Sequence, residues 1–469
     1  MNYEEAFTAF KNGDLQTAVP LLKRAAQETG FTSDIINHTY TLALQRIGDN
    51  QRLADVAFLV GNSLVQQDPA SAMDYFQRAI VAGLDAQRIR QIGEVFEKWA
   101  VQPSHPPPGV RKPVTHVAHV IGSLTPSHPP AHYLKVLVSG LRKQMIESTV
   151  FTTEWAASWF SNPTGDAQSH AMDIDAEVNI ASIEGDFEER ALRIADALRA
   201  SAISVAFFHA GVFEQIAARV ASMRPAAMQV SVNHGLEIDA GLFDRHIHLF
   251  QNALKRTRFS ERAECIPPAS DIEVRLQANQ PLTRKDMGLD SAGSISATFS
   301  TTDKLGGGAY LGALSEIMNR FPNHFHLFVG AGSVKAIRSH LHAEGVLPRI
   351  RFLGDIGDPA SLLNIVDVYL SSFPQSGGSS ILDAMGAGKP IVVMRFAPDS
   401  PFNSAAELVG VRELTASGEG EYIMIADRLL RNVEFRAKQG QAMLNRFRTD
   451  FHPDRLGERY KTFLESLSK

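Results

Sequence analysis

The pattern of apolar and polar positions divides the chain into two regions with different periods. In roughly the first hundred residues, apolar side chains recur every three or four positions, as in YEEAFTAFKNGDLQTAVPLLKRAA (3–26), and this spacing predicts amphipathic helices. From residue 114 onward, short apolar runs alternate with helical patterns, beginning with VTHVAHVIG, HYLKVLVSGLRKQ and STVFTTEW. This alternation predicts strands and helices in turn, so an all-α region should precede an α/β region.

The helical region, residues 1–100, shows signs of an internal repeat. Gly13-Asp14 separates two predicted helices, and Gly48-Asp49 follows 35 residues later, close to the tetratricopeptide period of about 34 residues. The rest of the register is irregular, so a plain helical bundle is the alternative to the tetratricopeptide-like domain that we predict. The next segment, 101–113, contains five prolines. Proline fixes φ and removes amide donors, which predicts a stiff linker and a domain boundary.

The α/β region contains two runs of alternating strands and helices. They cover 114–268 and 293–445, and a terminal helix is predicted at 446–469. Alternation of this kind implies parallel sheets covered by helices on both faces, so we predict two tandem Rossmann-like domains. Ligands of such sheets bind at the carboxyl ends of the strands, which places the expected site in a cleft between the two domains.

Composition narrows the classes of function. The 46 basic and 51 acidic residues give a net charge of −5, which argues against a general nucleic-acid or anionic-membrane surface. The single cysteine, Cys265, excludes an intramolecular disulfide and a cysteine-based zinc site. No apolar stretch approaches the length of about 18 residues that a membrane span needs. The opening MNYEEAFTAF lacks the features of a secretory signal, so we expect a cytoplasmic protein with no membrane span and no nucleic-acid partner.

The stretch FPQSGGSSILDAMGAGKPIVV (373–393) is the first candidate for chemistry. Gly377 and Gly378 allow close approach of the backbone to a ligand, and Ser379 and Ser380 lie at the predicted start of a helix. The amides and the positive dipole at a helix N-terminus stabilise anions such as phosphate. Asp383 lies one turn further along the same face. The alternative is a glycine turn with a serine cap and no ligand.

Other polar residues follow predicted strands and should lie on the same cleft. Lys304 follows ISATFS, where its charge could neutralise a leaving diphosphate, although an exposed lysine is the simpler interpretation. In the first Rossmann-like domain, His128 and His132 follow the first strand, and His209 and His234 end later strands. A histidine there could act as a base or hold an acceptor, whereas each one singly could be structural.

A metal site receives little support from the sequence. His128 and His132 have a metal-like spacing, but Pro129-Pro130 interrupts any helix between them and no third ligand stands out. Asp-x-Asp, the manganese-binding motif of metal-dependent sugar transferases, occurs only as Asp173-Ile-Asp175 in a polar segment, where we interpret it as chance. We therefore expect neither a metal nor another cofactor.

Several motifs, in order from about 114 to 465, resemble the GT-B glycosyltransferases of the O-GlcNAc transferase group and its bacterial N-glucosyltransferase relatives. The resembling segments are SHPPAHYL, VASMRPAAMQVSVNHG, FSTTDKL, SGGSSILDAMGAGKPIVVM and FNSAAELVGVRELTASGEGEYIMIA. An N-terminal helical domain, often built of tetratricopeptide repeats, is also usual in that group. The resemblance implies a GT-B fold, a UDP-sugar substrate and no metal.

The resemblance also implies roles for the donor-side residues. Ser379 and Ser380 would hold the diphosphate together with the Gly377-Gly378 backbone, Asp383 would hold the ribose, and Lys304 would stabilise the developing charge. Serines stand where the group usually has threonines, which keeps the hydroxyls.

On the acceptor side, the resemblance would place His128 and His132 against the acceptor and the sugar. His234 matches a histidine of the N-glucosyltransferase branch, where the O-GlcNAc branch has tyrosine. Leu236 and Glu237 stand where small or hydroxylated residues are common, which leaves the acceptor and the donor sugar open.

Taken together, these residues and the group that they resemble imply an inverting, metal-independent transferase that moves GlcNAc or glucose from UDP to a protein side chain. Retaining GT-B enzymes often carry two glutamates eight residues apart around the phosphate-binding helix, and here Gln375 and Asp383 occupy those positions. The alternatives are a transferase acting on lipid or polysaccharide, a sugar-nucleotide epimerase, for which no acid–base carboxylate pair is seen, and a catalytically silent scaffold that binds partners through residues 1–100.

Overall fold

The computed structural model of the chain describes residues 3–98, 100, 109–110, 113–122, 124, 129–153, 174–181, 186–209, 215–235, 238–305, 308–356, 358–398 and 400–467. Of the sequence candidates, His128, Asp173, Leu236 and Glu237 lie outside these residues. No helix among the described residues is both long enough and apolar enough to cross a bilayer.

The N-terminal region is built from helices joined by short turns, described here as three successive pairs. They are α1 (Tyr3–Lys11), α2 (Leu15–Glu28), α3 (Asp34–Ile47), α4 (Asn50–Leu64), α5 (Pro69–Val81) and α6 (Ala86–Glu97). The turns inside the pairs contain Gly13, Gly48 and Gly83, each 35 residues after the last and each with positive φ. An aspartate caps the second helix of each pair by accepting a bond from a first-turn amide; the three are Asp14, Asp49 and Asp85. The helical region therefore is tetratricopeptide-like.

Two parallel sheets follow, each flanked by helices. The first contains β1 (His116–Ile121), β2 (Glu147–Thr153), β3 (Glu177–Ala181), β4 (Val205–His209), β5 (Met228–Asn233), β6 (Arg245–His248) and β7 (Ala263–Cys265). The second contains β8 (Ser294–Phe299), β9 (His324–Val329), β10 (Ile350–Phe352), β11 (Val368–Leu370), β12 (Ile391–Met394) and β13 (Thr415–Ala416). The strand orders are β3-β2-β1-β4-β5-β6-β7 and β10-β9-β8-β11-β12-β13.

The helices of the α/β region connect these strands. They are α7 (Pro129–Lys143), α8 (Phe187–Ser201), α9 (Gln215–Ser222), α10 (Ile272–Ala278), α11 (Ala309–Arg320), α12 (Lys335–Ala343), α13 (Gly378–Gly386), α14 (Ser404–Val409), α15 (Glu419–Arg431), α16 (Val433–Arg446) and α17 (Pro453–Ser466). Both sheets have the doubly wound order, in which the direction of progression reverses between the first and fourth strands. The predicted α/β class with two Rossmann-like sheets is confirmed.

The chain returns to the first sheet at its end. A short π-helical turn, Phe447–Phe451, follows α16 and leads into α17, which packs against α7 of the first sheet. Gly140 and Gly457 face each other there so closely that a Cβ on Gly457 would collide with the Gly140 carbonyl. The hydroxyls of Tyr133 and Tyr460 are 2.9 Å apart in the same contact, which is buried. The last helix therefore joins the two Rossmann-like domains.

Candidate functional site

The second sheet has its topological switch point between β8 and β11, which are adjacent and parallel. The loops that leave their carboxyl ends run to opposite sides of the sheet, which opens a crevice between them. One loop continues from Phe299 into the short 3₁₀ turn Thr302–Leu305. The other runs from Ser371 to the start of α13 at Gly378. The two sequence-predicted loops therefore leave neighbouring strands at the point where ligands of such sheets bind.

The N-terminus of α13 has the form of an anion site. Gly377 precedes the helix in an extended conformation and provides no side-chain cap. The first helical hydrogen bond in this turn runs from the amide of Ile381 to the carbonyl of Gly377, so the preceding amides have no acceptor within the helix. Ser379 is exposed in this first turn. Amides and hydroxyl together can hold an anion at the positive end of the helix dipole.

The hydroxyl of Ser380 is used inside the protein. Its oxygen lies 3.2 Å from the carbonyl oxygen of Phe299 and 3.1 Å from that of Gly377, and it accepts a bond from Tyr369 at 3.0 Å. A Cβ on Gly377 would collide with this hydroxyl, which explains the glycine. Ser380 thus ties the start of α13 to the end of β8 and fixes the spacing of the two loops.

Lys304 lies half-buried in the 3₁₀ turn after β8. The segment just after β9 holds this turn in place, because the Thr302 amide donates a hydrogen bond to the Ala331 carbonyl at 3.0 Å. Gly330 has φ +143°, and a Cβ there would collide with the carbonyl oxygen of Ser300. Gly332 has φ +118°, and a Cβ there would collide with the hydroxyl of Thr302. Gly330 and Gly332 therefore let the turn after β9 pack against the loop that contains Lys304, here called the lysine loop. The sequence analysis did not identify these two glycines.

Replacing Gly330 with alanine should displace the lysine loop. The added Cβ meets a backbone carbonyl, which cannot rotate away, and the positive φ at this position costs a residue such as alanine about 1–3 kcal/mol of backbone strain. We expect the affinity for UDP, the nucleotide that the sequence resemblance implies, to fall by about tenfold or more, measured by calorimetric titration. Gly345→Ala is the matched control, because Gly345 also has positive φ (+72°) but open space at its Cβ. Equal losses in the two variants would contradict this role of Gly330.

Asp383 is buried on α13 and engages the segment that connects the two domains. Its Oδ1 accepts from the Ser270 hydroxyl at 2.6 Å and from the Arg275 guanidinium at 2.5 Å. Arg275 also pairs with Asp271 at 2.8 Å and with Asp358 at 2.7 Å. Burial disfavours the charged guanidinium, but the surrounding carboxylates outweigh it and raise the pKa of Arg275. The sequence suggested Asp383, while Ser270 and Arg275 lie between the two runs of alternating strands and helices and were not selected by any motif.

The first sheet has its own switch point between β1 and β4, and histidines gather there. His209 ends β4 and His234 follows β5, and their rings are hydrogen-bonded at 3.1 Å. His119, inside β1, bonds to the other side of His209, also at 3.1 Å. His132 lies in the first turn of α7, the helix that follows β1, and is half-buried. The structure thus brings His209 and His234 together and adds His119, for which the sequence offers no selecting signal.

The two domains meet beside the N-terminus of α13. Phe250, just after β6, would lie 3.5 Å from a Cβ placed on Gly378. The amides of Gln251 and Asn252 donate to the carboxylate of Glu407 on α14. The first domain therefore contacts the second at the start of α13, where loops that follow strands of the two sheets meet.

Metal ligands are not gathered in the part of the chain that the structure describes. Within those residues, no three His, Cys, Asp or Glu side chains are grouped so that they could hold a metal ion. Asp175, from the discounted Asp-x-Asp motif, pairs with Arg142 at the surface.

Two tandem doubly wound domains with a returning C-terminal helix define the GT-B fold, here preceded by tetratricopeptide-like helices. No protein-family model and no curated protein matches the chain. Among solved structures, a mutant of the Thermobaculum terrenum O-GlcNAc transferase matches with a TM-score of 0.56 and 16% identity, over 99% of this chain and 96% of that one.

Two further solved structures match the Rossmann-like part. Anabaena HepE in complex with UDP and glucose matches with a TM-score of 0.57 and 16% identity, over 75% of this chain and 99% of that one. A Rickettsia africae glycosyltransferase matches with a TM-score of 0.58 and 12% identity, over 76% of this chain and 99% of that one. At these identities the comparisons establish the fold, and they confirm the predicted combination of a helical region with a GT-B core.

Proposed function

We propose that this protein is a glycosyltransferase that uses a UDP-sugar, that it inverts the anomeric centre without a metal, and that its acceptor is a protein side chain. One observation carries the proposal: the N-terminus of α13 and the Lys304 turn leave adjacent strands at one switch point. That pair of elements offers amides, a hydroxyl and a cation to a diphosphate, which is the leaving group of a nucleotide sugar.

The donor would bind with its diphosphate at the first turn of α13. Backbone amides and Ser379 would hold the phosphate oxygens, while Ser380 keeps the turn in place through Phe299 and Gly377. Asp383 as the ribose ligand stays a prediction. Because its Oδ1 is engaged by Arg275 and Ser270, a ribose hydroxyl would donate to Oδ2. UDP and UDP-glucose complexes of HepE support the nucleotide, and glucose or GlcNAc is the sugar we propose.

Inversion requires the acceptor to attack the anomeric carbon in line with the departing UDP. Lys304 would stabilise the charge that develops on the leaving diphosphate, which is the work a metal does in metal-dependent transferases. Gln375 supports inversion because it offers no carboxylate at the first position of the glutamate pair found in retaining relatives. In this proposal the histidines at the ends of β4 and β5 would face the acceptor. The acceptor-side roles of His132, in the first turn of α7, and of His128, which lies outside the described residues, remain predictions.

The proposal is tested by label transfer. The purified protein should incorporate radiolabel from UDP-GlcNAc or UDP-glucose into lysate protein, and EDTA should leave the rate unchanged. Label found in lipid or polysaccharide would overturn the protein acceptor, and inhibition by EDTA that Mg²⁺ or Mn²⁺ reverses would overturn metal independence.

Donor binding is measured separately, because a ligand of the folded state raises the melting temperature with its concentration. We expect UDP, and UDP-GlcNAc or UDP-glucose, to raise the melting temperature. If neither sugar nucleotide raises the melting temperature, the proposal that a UDP-sugar is the donor is wrong. The cytoplasmic location and the domain boundaries drawn from the sequence stay predictions.

A further inference from the structure

One short segment of the first domain contacts both the helical region and the second domain. It comprises residues 250–258, here called the bridging segment, and it contains the 3₁₀ turn Gln251–Lys255 shortly after β6. Its first residues lie against α13 and α14, and its last residue, Arg258, lies against α6. The bridging segment therefore joins the helical region to the proposed donor site through one unbroken stretch of chain.

The end of the bridging segment is fixed to α6 by charge. The guanidinium of Arg258 lies 2.9 Å from the carboxylate of Glu97 and 3.7 Å from that of Glu94, and it donates to the Arg90 carbonyl at 3.4 Å. These partners follow one another along one face of the helix. Arg258 and Glu97 expose only 21% and 30% of their side chains, so salt screens this pair less than a fully exposed one.

A second contact holds α6 against the loop after β5. The Gly241 amide donates to the carboxylate of Glu97 at 2.6 Å. A Cβ on Gly93 would collide with the carbonyl oxygen of Asp239, so the backbone of α6 lies directly on this loop. The buried carboxylate of Asp239 in turn accepts a hydrogen bond from the Thr257 hydroxyl of the bridging segment. The docking of α6 therefore bears on the bridging segment by two routes.

The beginning of the bridging segment is fixed to the second domain. The amides of Gln251 and Asn252 donate to the carboxylate of Glu407 on α14. Phe250 lies 3.5 Å from the position that a Cβ on Gly378, the first residue of α13, would occupy. A diphosphate held at the first turn of α13 would therefore lie beside the bridging segment.

The contacts with α6 and those with the second domain restrict the same stretch of chain. Ordering such a segment costs conformational entropy, and a contact that orders it lowers the cost of the next one. A bridging segment already held by α6 is presented to α13 at a lower cost. By linkage, a ligand that orders the segment at α13 favours the docking of α6 by the same factor.

We propose that the bridging segment couples the helical region to the nucleotide site, so that docking of α6 raises the affinity for UDP and bound UDP tightens the docking of α6. This rests on the proposed function. Arg258 is then a positioning residue, which acts on the nucleotide through Phe250 and the contact with Glu407. A protein acceptor that binds the helical region and shifts α6 would change donor affinity without touching the donor.

The first test compares two arginines that lie over the same ring. Arg258→Leu removes the link to α6, and because coupling between sites changes affinity by about 5–150-fold, we expect the Kd for UDP to rise about fivefold in calorimetric titration. Arg262→Leu is the matched control. Both guanidiniums lie over the Phe259 ring, at 4.7 and 4.8 Å from its centroid, but the ion pair of Arg262 is with its neighbour Glu261. Its Kd for UDP should stay unchanged.

A second variant disturbs the docking of α6 without removing a charge. Gly93→Ala places a methyl group against the backbone carbonyl of Asp239, so α6 must shift away from the first domain. We expect the Kd for UDP to rise as in Arg258→Leu. Gly312→Ala is the control, because Gly312 also lies inside a helix, α11, but has open space at its Cβ. Melting temperatures check that the variants are folded.

Amide exchange reports the coupling without any enzymatic activity. Hydrogen–deuterium exchange should show the amides of Gln251 and Asn252 less protected in Arg258→Leu than in the wild type or in Arg262→Leu. Saturating UDP should increase the protection of the Gly241 amide, at the contact with α6, in the wild type and not in Arg258→Leu.

The proposal is overturned if Arg258→Leu and Arg262→Leu have the same Kd for UDP, or if UDP leaves exchange at Gly241 unchanged in the wild type. It is equally overturned if Gly93→Ala binds UDP as tightly as Gly312→Ala. If the wild type binds no UDP, the proposed function fails, while the exchange of Gln251 and Asn252 still decides whether the bridging segment connects α6 to the second domain.

Discussion

Replacing Lys304 with alanine should lower the rate of sugar transfer by about 10³-fold and leave the fold intact. Lys304 lies in the turn after β8, on the strand adjacent to the one that leads into the proposed phosphate site. In an inverting transfer the diphosphate gains negative charge as the bond to the sugar breaks. A group that stabilises charge only as it develops contributes to kcat, and loss of one such donor costs about 10²–10³-fold or more for a full cation.

The expected signature is a loss in kcat that exceeds the loss in affinity for UDP-sugar. Lys335→Ala is the matched control, because Lys335 is exposed at the start of α12, which follows the neighbouring strand β9. Steady-state kinetics on both variants, with melting temperatures to check folding, distinguish a specific cation from general positive potential. An unchanged kcat in Lys304→Ala, or equal losses in both variants, would remove Lys304 from the mechanism.

The architecture could be predicted from the sequence because its signals are local. The change from helical spacing to alternating strands lies in consecutive residues, and buried parallel strands appear as short apolar runs. Only part of the helical repeat could be recognised from the sequence. Gly13 and Gly48 stood out, but the third turn reads Gly83-Leu84-Asp85 and lacks the adjacent Gly-Asp pair, although it keeps the interval of 35 residues and the aspartate cap.

The site was predictable only where one loop carries its residues. The serines, glycines and aspartate around α13 lie within seven consecutive positions, 377–383, but the sequence could not say which hydroxyl points inward. Ser380 bonds to Phe299, whose carbonyl comes from another strand, so its role depends on how the strands are arranged. The hydrogen-bonded histidines His119, His209 and His234 depend in the same way on how the strands are arranged. These three rings lie 90 and 25 residues apart and meet only because β1, β4 and β5 are neighbours in the sheet.

Replacing Arg275 with leucine should be the most destabilising of the substitutions considered. The guanidinium, with 17% of its side chain exposed, bridges three carboxylates: Asp271, Asp358 and Asp383, the last only 10% exposed. Removing one partner of a buried ion pair leaves uncompensated charge and costs about 3–5 kcal/mol. For a domain of this size we expect a drop of about 10 °C in the melting temperature, measured by scanning calorimetry. Arg320→Leu, which breaks an exposed pair with Glu316, is the control and should cost less than about 1 kcal/mol.

The stability lost in Arg275→Leu should be larger near neutral pH than at acid pH. Burial alone would raise the pKa of Asp358, but Arg275 and hydrogen bonds from Ala360 and Asn279 outweigh it and lower this pKa overall. A lowered folded-state pKa stabilises the protein above the unfolded value of about 3.9, and this stabilisation is lost as pH falls through the folded value.

Without Arg275, the Asp358 carboxyl can relieve its charge by taking up a proton at a higher pH. The difference in melting temperature between wild type and Arg275→Leu should therefore be largest near pH 7 and narrow toward pH 4. A difference that stays constant over that range would mean that Arg275 stabilises the connection through packing and not through its charge.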